Sequence, residues 1–165
     1  MAAYVVADAS VFILGKRLEG EIITVPSVER ELKDIGSKSR LHIFNARVES
    51  PSIDALKRAR SAAKTTGDIA VLSRTDLDVL AKAVEYGAIL ATDDYAVQNV
   101  ALHLGLRVEP VAQPLIKKKM QRMQRCRACG SAFEGEVCPD CGTQWKGKIK
   151  KRDIKKGDIK KGGVR

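Results

Sequence analysis

Four cysteines limit what this chain can fold into more than any other feature. Cys126-Arg-Ala-Cys129 and Cys138-Pro-Asp-Cys141 are two C-x2-C pairs separated by eight residues, and the 165 residues hold no other cysteine. Each pair bends the backbone so that two sulfurs face one point, and the second pair completes a tetrahedron, the pattern of a four-thiolate zinc site on a short ribbon. Gly130 and Gly142 directly follow the second cysteine of each pair, where the chain must turn tightly. Two disulfides are the alternative. The Met1-Ala2-Ala3 start runs straight into an apolar strand pattern without a charged region and long apolar run. A reducing cytoplasm is therefore expected, where bridges are rare, and zinc is the preferred reading.

Charge divides the chain around this module. Residues 1–110 hold 14 Lys/Arg and 15 Asp/Glu, whereas residues 111–165 hold 16 and 5. The first part is near neutral and long enough for one ordinary domain; the second seeks polyanions. Phosphate is the obvious counterpart, and nucleic acid is favoured over a membrane because the tail has no large apolar face and no transmembrane run exists. The expected organisation is a globular domain over 1–110, a basic linker over 111–123, the zinc ribbon over 124–146 and a basic, disordered tail over 147–165.

Within 1–110, apolar runs alternate with helical periodicities. Tyr4-Val5-Val6-Ala7, Ile22-Ile23-Thr24-Val25 and Ala88-Ile89-Leu90-Ala91 read as buried strands, with a last one near Arg107–Pro110 and a partly extended stretch at 43–49. Helices are expected from about Ser10, from Pro26 through Leu32 and Ile35 to a stop at Gly36, from a Ser52 cap to Gly67, from Ser73 or Thr75 to Gly87, and around Val97–Leu104. Such alternation predicts an α/β fold with a mostly parallel sheet and flanking helices.

Sites in such sheets form beyond the carboxyl ends of the strands. Asp8 ends the first strand, Asp93 and Asp94 end another, Asp76 opens a helix, and Glu31 lies in the Pro26 helix. If the sheet gathers them, several carboxylates converge, and a hard divalent cation is the ordinary remedy for their repulsion. Oxygen donors suit magnesium or manganese rather than zinc. Taken singly, each acid has a plainer role: Asp8 or Asp76 as a helix cap, Glu31 as a solvated helix face, Asp68 as a turn cap. Asp78 lies about 200° around the helix from Asp76 and is read as surface. Ser10 is expected to bond a carboxylate or cap a helix, and His42 and His103 have no partner pattern.

The order Asp8-Ala-Ser10, Val28-Glu-Arg-Glu31-Leu32, Asp76-Leu-Asp-Val-Leu-Ala81 and Ile89-Leu-Ala-Thr92-Asp-Asp94 resembles a PIN-domain nuclease over residues 3–110. The resemblance implies a Rossmann-like sheet with four acids, Asp8, Glu31, Asp76 and Asp94, around one or two Mg²⁺ or Mn²⁺ ions. Asp93 is the neighbouring alternative ligand. Joined to the four-cysteine ribbon, with Glu31-Leu-Lys-Asp34 and Thr66-Gly-Asp68 through Asp76, the chain resembles the Nob (NIN-one-binding) family of ribosome-assembly endonucleases in its compact archaeal form. That family implies cleavage of precursor small-subunit ribosomal RNA at its mature 3′ end, with the pre-small ribosomal subunit as partner. Asp8, Asp76 and Asp94 would hold metal, with Glu31 a ligand or an orienter of water, and hydrolysis would leave a 5′ phosphate. RNA contacts are expected from Lys117, Lys118, Lys119, Arg125, Arg127, Lys146 and Lys148, and from Trp145 by stacking; Phe133 reads as ribbon core. Three other readings remain: a non-catalytic RNA-binding assembly factor, a toxin-like PIN nuclease acting on tRNA or mRNA, and a DNA-directed nuclease.

Overall fold

A computed structural model describes residues 3–116, 119, 124–133 and 136–144. The chain divides into two compact units, residues 1–121 and 122–165. In the first, β1 (Tyr4–Ala7), β2 (Glu21–Thr24), β3 (Arg47–Val48), β4 (Ile89–Ala91) and β5 (Val108–Glu109) form one sheet in the order β3-β2-β1-β4-β5. Every pairing is parallel. The fold class read from the alternation of strands and helices is therefore the one observed.

Strands buried on both faces of a parallel sheet should be continuous apolar runs, and β1 and β2 are: Val5, Val6, Ala7 and Ile23 are fully buried. Their connections run outward in opposite directions from the β1–β4 pair, so a crevice opens beyond the ends of those two strands. The helices α1 (Ala9–Leu14), α2 (Pro26–Glu31), α3 (Ile35–Ile43), α4 (Ile53–Thr66), α5 (Arg74–Tyr86) and α6 (Tyr95–His103) cover the sheet. Helix α4 buries Ala55, Ala59, Ala62 and Ala63, and α5 buries Ala81 and Ala83. Small side chains there let the two helices pack closely. The two-residue edge strand β3 is held by side chains of α5: the Tyr86 hydroxyl donates to Glu49 at 2.6 Å, and the buried Lys82 ammonium lies 3.5 Å from the same carboxylate.

One helix predicted from sequence is two. Leu32 leaves the helical region, Asp34 accepts the Ser37 amide at 2.8 Å, and α3 starts afresh at Ile35. Asp34 offers the backbone a local partner that competes with continuing the helix, so Gly36 sits inside α3 instead of ending α2. Helix α1 is also short. It stops at Leu14 with Gly15 in the left-handed region, leaving Leu18 in the following loop, packed on the core.

Gly20 carries a tighter constraint. Its φ is +120°, and a Cβ there would stand 2.1 Å from the Ala3 carbonyl oxygen, which receives the Glu21 amide as β2 begins. The obstacle is backbone and cannot rotate away. Gly20→Ala should lower stability by ~2 kcal/mol or more, read as a fall in melting temperature with unchanged secondary structure.

Candidate active site and metal centre

Thr92, fully buried just past β4, organises the end of the sheet. Its hydroxyl donates to Asp8 Oδ2 at 2.8 Å and accepts the Asp94 amide at 3.1 Å. Asp8 caps α1 through the Ala9 amide at 2.7 Å, and its own amide bonds the Ala91 carbonyl of β4. The Asp8 carboxylate is thus fixed by two elements. Burial is the main reason its pKa rises to about 6, and the neighbouring Asp76 and Asp94 charges push in the same direction against the Thr92 and Ala9 hydrogen bonds.

Asp76 sits one turn into α5 in a capping box: its Oδ2 accepts the Ser73 amide at 2.7 Å while Ser73 Oγ accepts the Asp76 amide at 3.1 Å. Its pKa is raised by burial, with the Asp94 and Glu31 charges adding to the effect. Asp94 caps α6 with Oδ1, accepting the Ala96 and Val97 amides. Among the described residues, Oδ1 of Asp76 and Oδ2 of Asp94 have no hydrogen-bond partner, and Glu31, exposed at the end of α2, makes no hydrogen bond. Four carboxylates from four segments therefore act on one another electrostatically at the crevice. Among the described residues they are more loosely gathered than the cysteines, whose ligand atoms all lie within 4.8 Å of one another.

Asp93 is placed differently from its neighbour. Its carboxylate accepts the Val111, Ala112 and Gln113 amides at 2.8–3.0 Å, and these bonds hold its pKa low despite burial. Gln98, fully buried on α6, donates to the Thr92 carbonyl and accepts the Ile116 amide. Residues 111–116, read from sequence as the start of a linker, are thereby tied to the first unit. Asp78 also departs from the surface role expected of it, accepting the Ser27 hydroxyl of α2 at 2.8 Å. Ser10 neither bonds a carboxylate nor caps a helix: its Oγ is buried without a partner among the described residues, because Asp8 takes the cap. Asp68, expected to cap a turn, opens a 3-10 turn and is fully buried, accepting from Asn99 at 2.7 Å. Thr92 entered the sequence reading only as part of the Thr-x-Asp stretch, with no role of its own, and Gln98 went unread because nothing local marks it.

In the second unit, β6 (Gln124–Arg125) pairs antiparallel with β7 (Ala132–Phe133). The two knuckles repeat one hydrogen-bond pattern. Cys126 donates to Ser131 and Gly130 to Cys126; Cys138 donates to Thr143 and Gly142 to Cys138. All four cysteines are free thiols, and the Sγ atoms of Cys126 and Cys141 are 3.4 Å apart, those of Cys129 and Cys138 3.6 Å. Tetrahedral thiolates at Zn–S distances of about 2.3 Å would stand about 3.8 Å apart, so the donor set fits such an ion. Amides of Cys129 and Ala128 lower the Cys126 pKa to about 6, while burial pushes Cys138 up to about 11. Among the described residues of this unit, Cys126, Cys138 and Phe133 form the buried cluster, the role expected of Phe133. Lys119, Arg125 and Arg127 are exposed; Lys117, Lys118, Trp145, Lys146, Lys148 and the basic tail lie outside the described residues.

Residues 5–86 match the family model described as the PIN domain of ribonuclease. Over 144 residues the chain is 39% identical to Endoribonuclease Nob1 of Archaeoglobus fulgidus, covering 84% of this chain and 87% of that protein. The chain belongs to the Nob1 endoribonuclease family. Endoribonuclease Nob1 of Pyrococcus abyssi is 42% identical over 149 residues, covering 86% of this chain and 91% of that protein. Ribonuclease VapC1 of Thermoplasma acidophilum is 37% identical over 139 residues, 82% of this chain and 72% of that protein. Family membership supports nuclease activity for this chain. No helix among the described residues is long and apolar enough to cross a membrane.

Because its folded pKa lies above that of an exposed aspartate, ionising Asp8 costs stability as pH climbs from about 4 through about 6. Asp8→Asn, which keeps the Ala9 cap through its carbonyl oxygen and meets Thr92 with its amide donating to the hydroxyl oxygen, should therefore raise the melting temperature by a few degrees at pH 7.5 in chelator. The two proteins should converge near pH 4. Asp93→Asn should instead speed hydrogen exchange at the Val111, Ala112 and Gln113 amides.

Proposed function

We propose that this chain is a divalent-cation-dependent endoribonuclease that cuts precursor small-subunit ribosomal RNA at its mature 3′ end, leaving a 5′ phosphate. The observation that carries the reading is the cluster of Asp8, Asp76, Asp94 and Glu31 at the crevice, joined in one chain to a four-cysteine unit and a basic C-terminal third. Asp8 and Asp76, whose pKa values rise through burial with neighbouring acid charges adding to the effect, stand with Asp94 and Glu31 as an all-oxygen donor set that fits Mg²⁺ or Mn²⁺. Asp8, Asp76 and Asp94 would hold the ion, with Asp93 set aside because its carboxylate is committed to three amides. A divalent cation there supplies Lewis-acid activation of water and neutralises charge developing at phosphorus.

The protein's own residues provide orientation and charge. Thr92 and Ala9 fix the Asp8 carboxylate, Ser73 fixes Asp76, and the start of α6 fixes Asp94, so three acids are held before substrate arrives. Glu31 has no such restraint, which suits a group that orients the attacking water and accepts its proton. The cysteine unit would hold zinc. Four thiolates leave no open position for substrate, so this metal is structural, and the unit would grip RNA through Arg125, Arg127 and the lysines around it. A cytoplasmic setting would suit both a four-thiolate zinc site and a ribosomal substrate.

Asp8→Asn or Asp76→Asn should abolish Mn²⁺-dependent cleavage of a precursor rRNA 3′ fragment while leaving RNA binding within about twofold. Mapped products should carry 5′ phosphate and 3′ hydroxyl ends. Cyclic 2′,3′-phosphate ends would overturn the hydrolytic route, and cleavage that survives both substitutions would overturn the site.

A further inference from the structure

The first unit is near neutral overall, yet its cations are not evenly spread. Residues 53–74 contain Lys57, Arg58, Arg60, Lys64 and Arg74 against Asp54 and the buried Asp68. Between α4 and the first turns of α5 lies a groove of about 530 Å³, lined by Lys57, Arg60, Arg74 and Asp78 over the aliphatic side chains of Leu56 and Leu77. Lys57, Arg60 and Arg74 are exposed. Among the described residues Lys57 pairs with the solvent-exposed Asp54 alone, at 3.3 Å, and such a pair is worth little. Arg60 and Arg74 have no ion-pair partner among the described residues. The one acid of the groove, Asp78, is engaged by the Ser27 hydroxyl.

We infer that this groove is a second RNA-binding site, on the nuclease unit itself, that takes the sugar–phosphate backbone of a single-stranded segment next to the cleaved bond. The inference rests on the nuclease reading for its substrate, though not for its binding chemistry. Two guanidinium forks without an ion-pair partner among the described residues, and an ammonium, lie along one groove and match successive phosphates, and arginine binds phosphate through two parallel hydrogen bonds. Leu56 and Leu77 offer a floor that riboses and base faces can cover without selecting sequence. Location supports the assignment. Arg74 precedes Asp76 by two residues, so groove and acids lie on opposite sides of the same helix end. A strand laid in the groove needs only to pass around that end of α5 to bring a phosphodiester to the acids. Backbone contact without base readout also leaves the choice of cleavage point to other parts of the molecule.

The test uses the full chain, an unstructured 20-nucleotide RNA and chelator, so that binding is read without turnover. Each phosphate contact to a single strand contributes about 0.7 to the slope of log affinity against log salt, so K57Q/R60Q/R74Q should flatten that slope by about 2. Affinity at low salt should fall at least tenfold. The charge-preserving K57R/R60K/R74K should keep the wild-type slope, separating lost charge from damaged folding. An unchanged slope in the glutamine variant would overturn the inference, as would its retention of RNA affinity together with loss of binding to an acidic amphipathic peptide, which would mark a protein-docking groove. A flattened slope in a protein that does not cut RNA with Mn²⁺ would uphold the groove and sink the nuclease reading.

Discussion

One hydroxyl group joins the two strands on which the site depends. Thr92 holds the Asp8 carboxylate at the end of β1 and the Asp94 amide beyond β4, so the position of one acid is set by the segment that carries the other. Parallel pairing of β1 with β4 brings these ends together, and the divergence of the chain on either side of the pair keeps the crevice open. Neighbouring elements serve the same end. Gln98 holds the Thr92 carbonyl, and the cap of α5 holds Asp76. Helix capping and site building are here one set of hydrogen bonds, which is why the local explanation of each acid and its functional explanation do not compete.

The two units divide metal chemistry by donor type. Oxygen donors with raised pKa values stand at the sheet, and sulfur donors stand at the knuckles, so each suits an ion the other would bind poorly. The contrast extends to folding. The sheet unit has a continuous apolar core, whereas among the described residues of the cysteine unit the buried apolar cluster is Phe133 and two of its own cysteines. With ligands themselves part of that cluster, binding of an ion there would contribute to the folding free energy of the knuckles.

Much of this was legible in the sequence because it rests on short-range patterns. Apolar runs gave β1, β2 and β4, capping serines gave the starts of α4 and α5, and the C-x2-C spacing gave the thiol cluster. What was not legible has two causes. The break between α2 and α3 depends on Asp34 outcompeting helix continuation, a contest between two local preferences that periodicity does not register. Asp78 as a partner of Ser27, and Asp93 as a partner of residues 111–113, depend on contacts between segments far apart in sequence. The Thr-x-Asp form favoured Asp94 over its neighbour, and the return of the chain past β5 adds what local sequence does not carry, three amides on Asp93.

That return has a bearing on where the sheet unit ends. The amides of Val111, Ala112 and Gln113 offset the negative charge of Asp93 one residue from Asp94, with Lys16 adding its positive charge. A chain cut after Pro110 would keep every strand and helix of the first unit yet expose that carboxylate, adding a fresh like charge to a cluster already under mutual repulsion. The autonomous boundary of the unit is therefore electrostatic as well as topological, and it falls beyond the last strand.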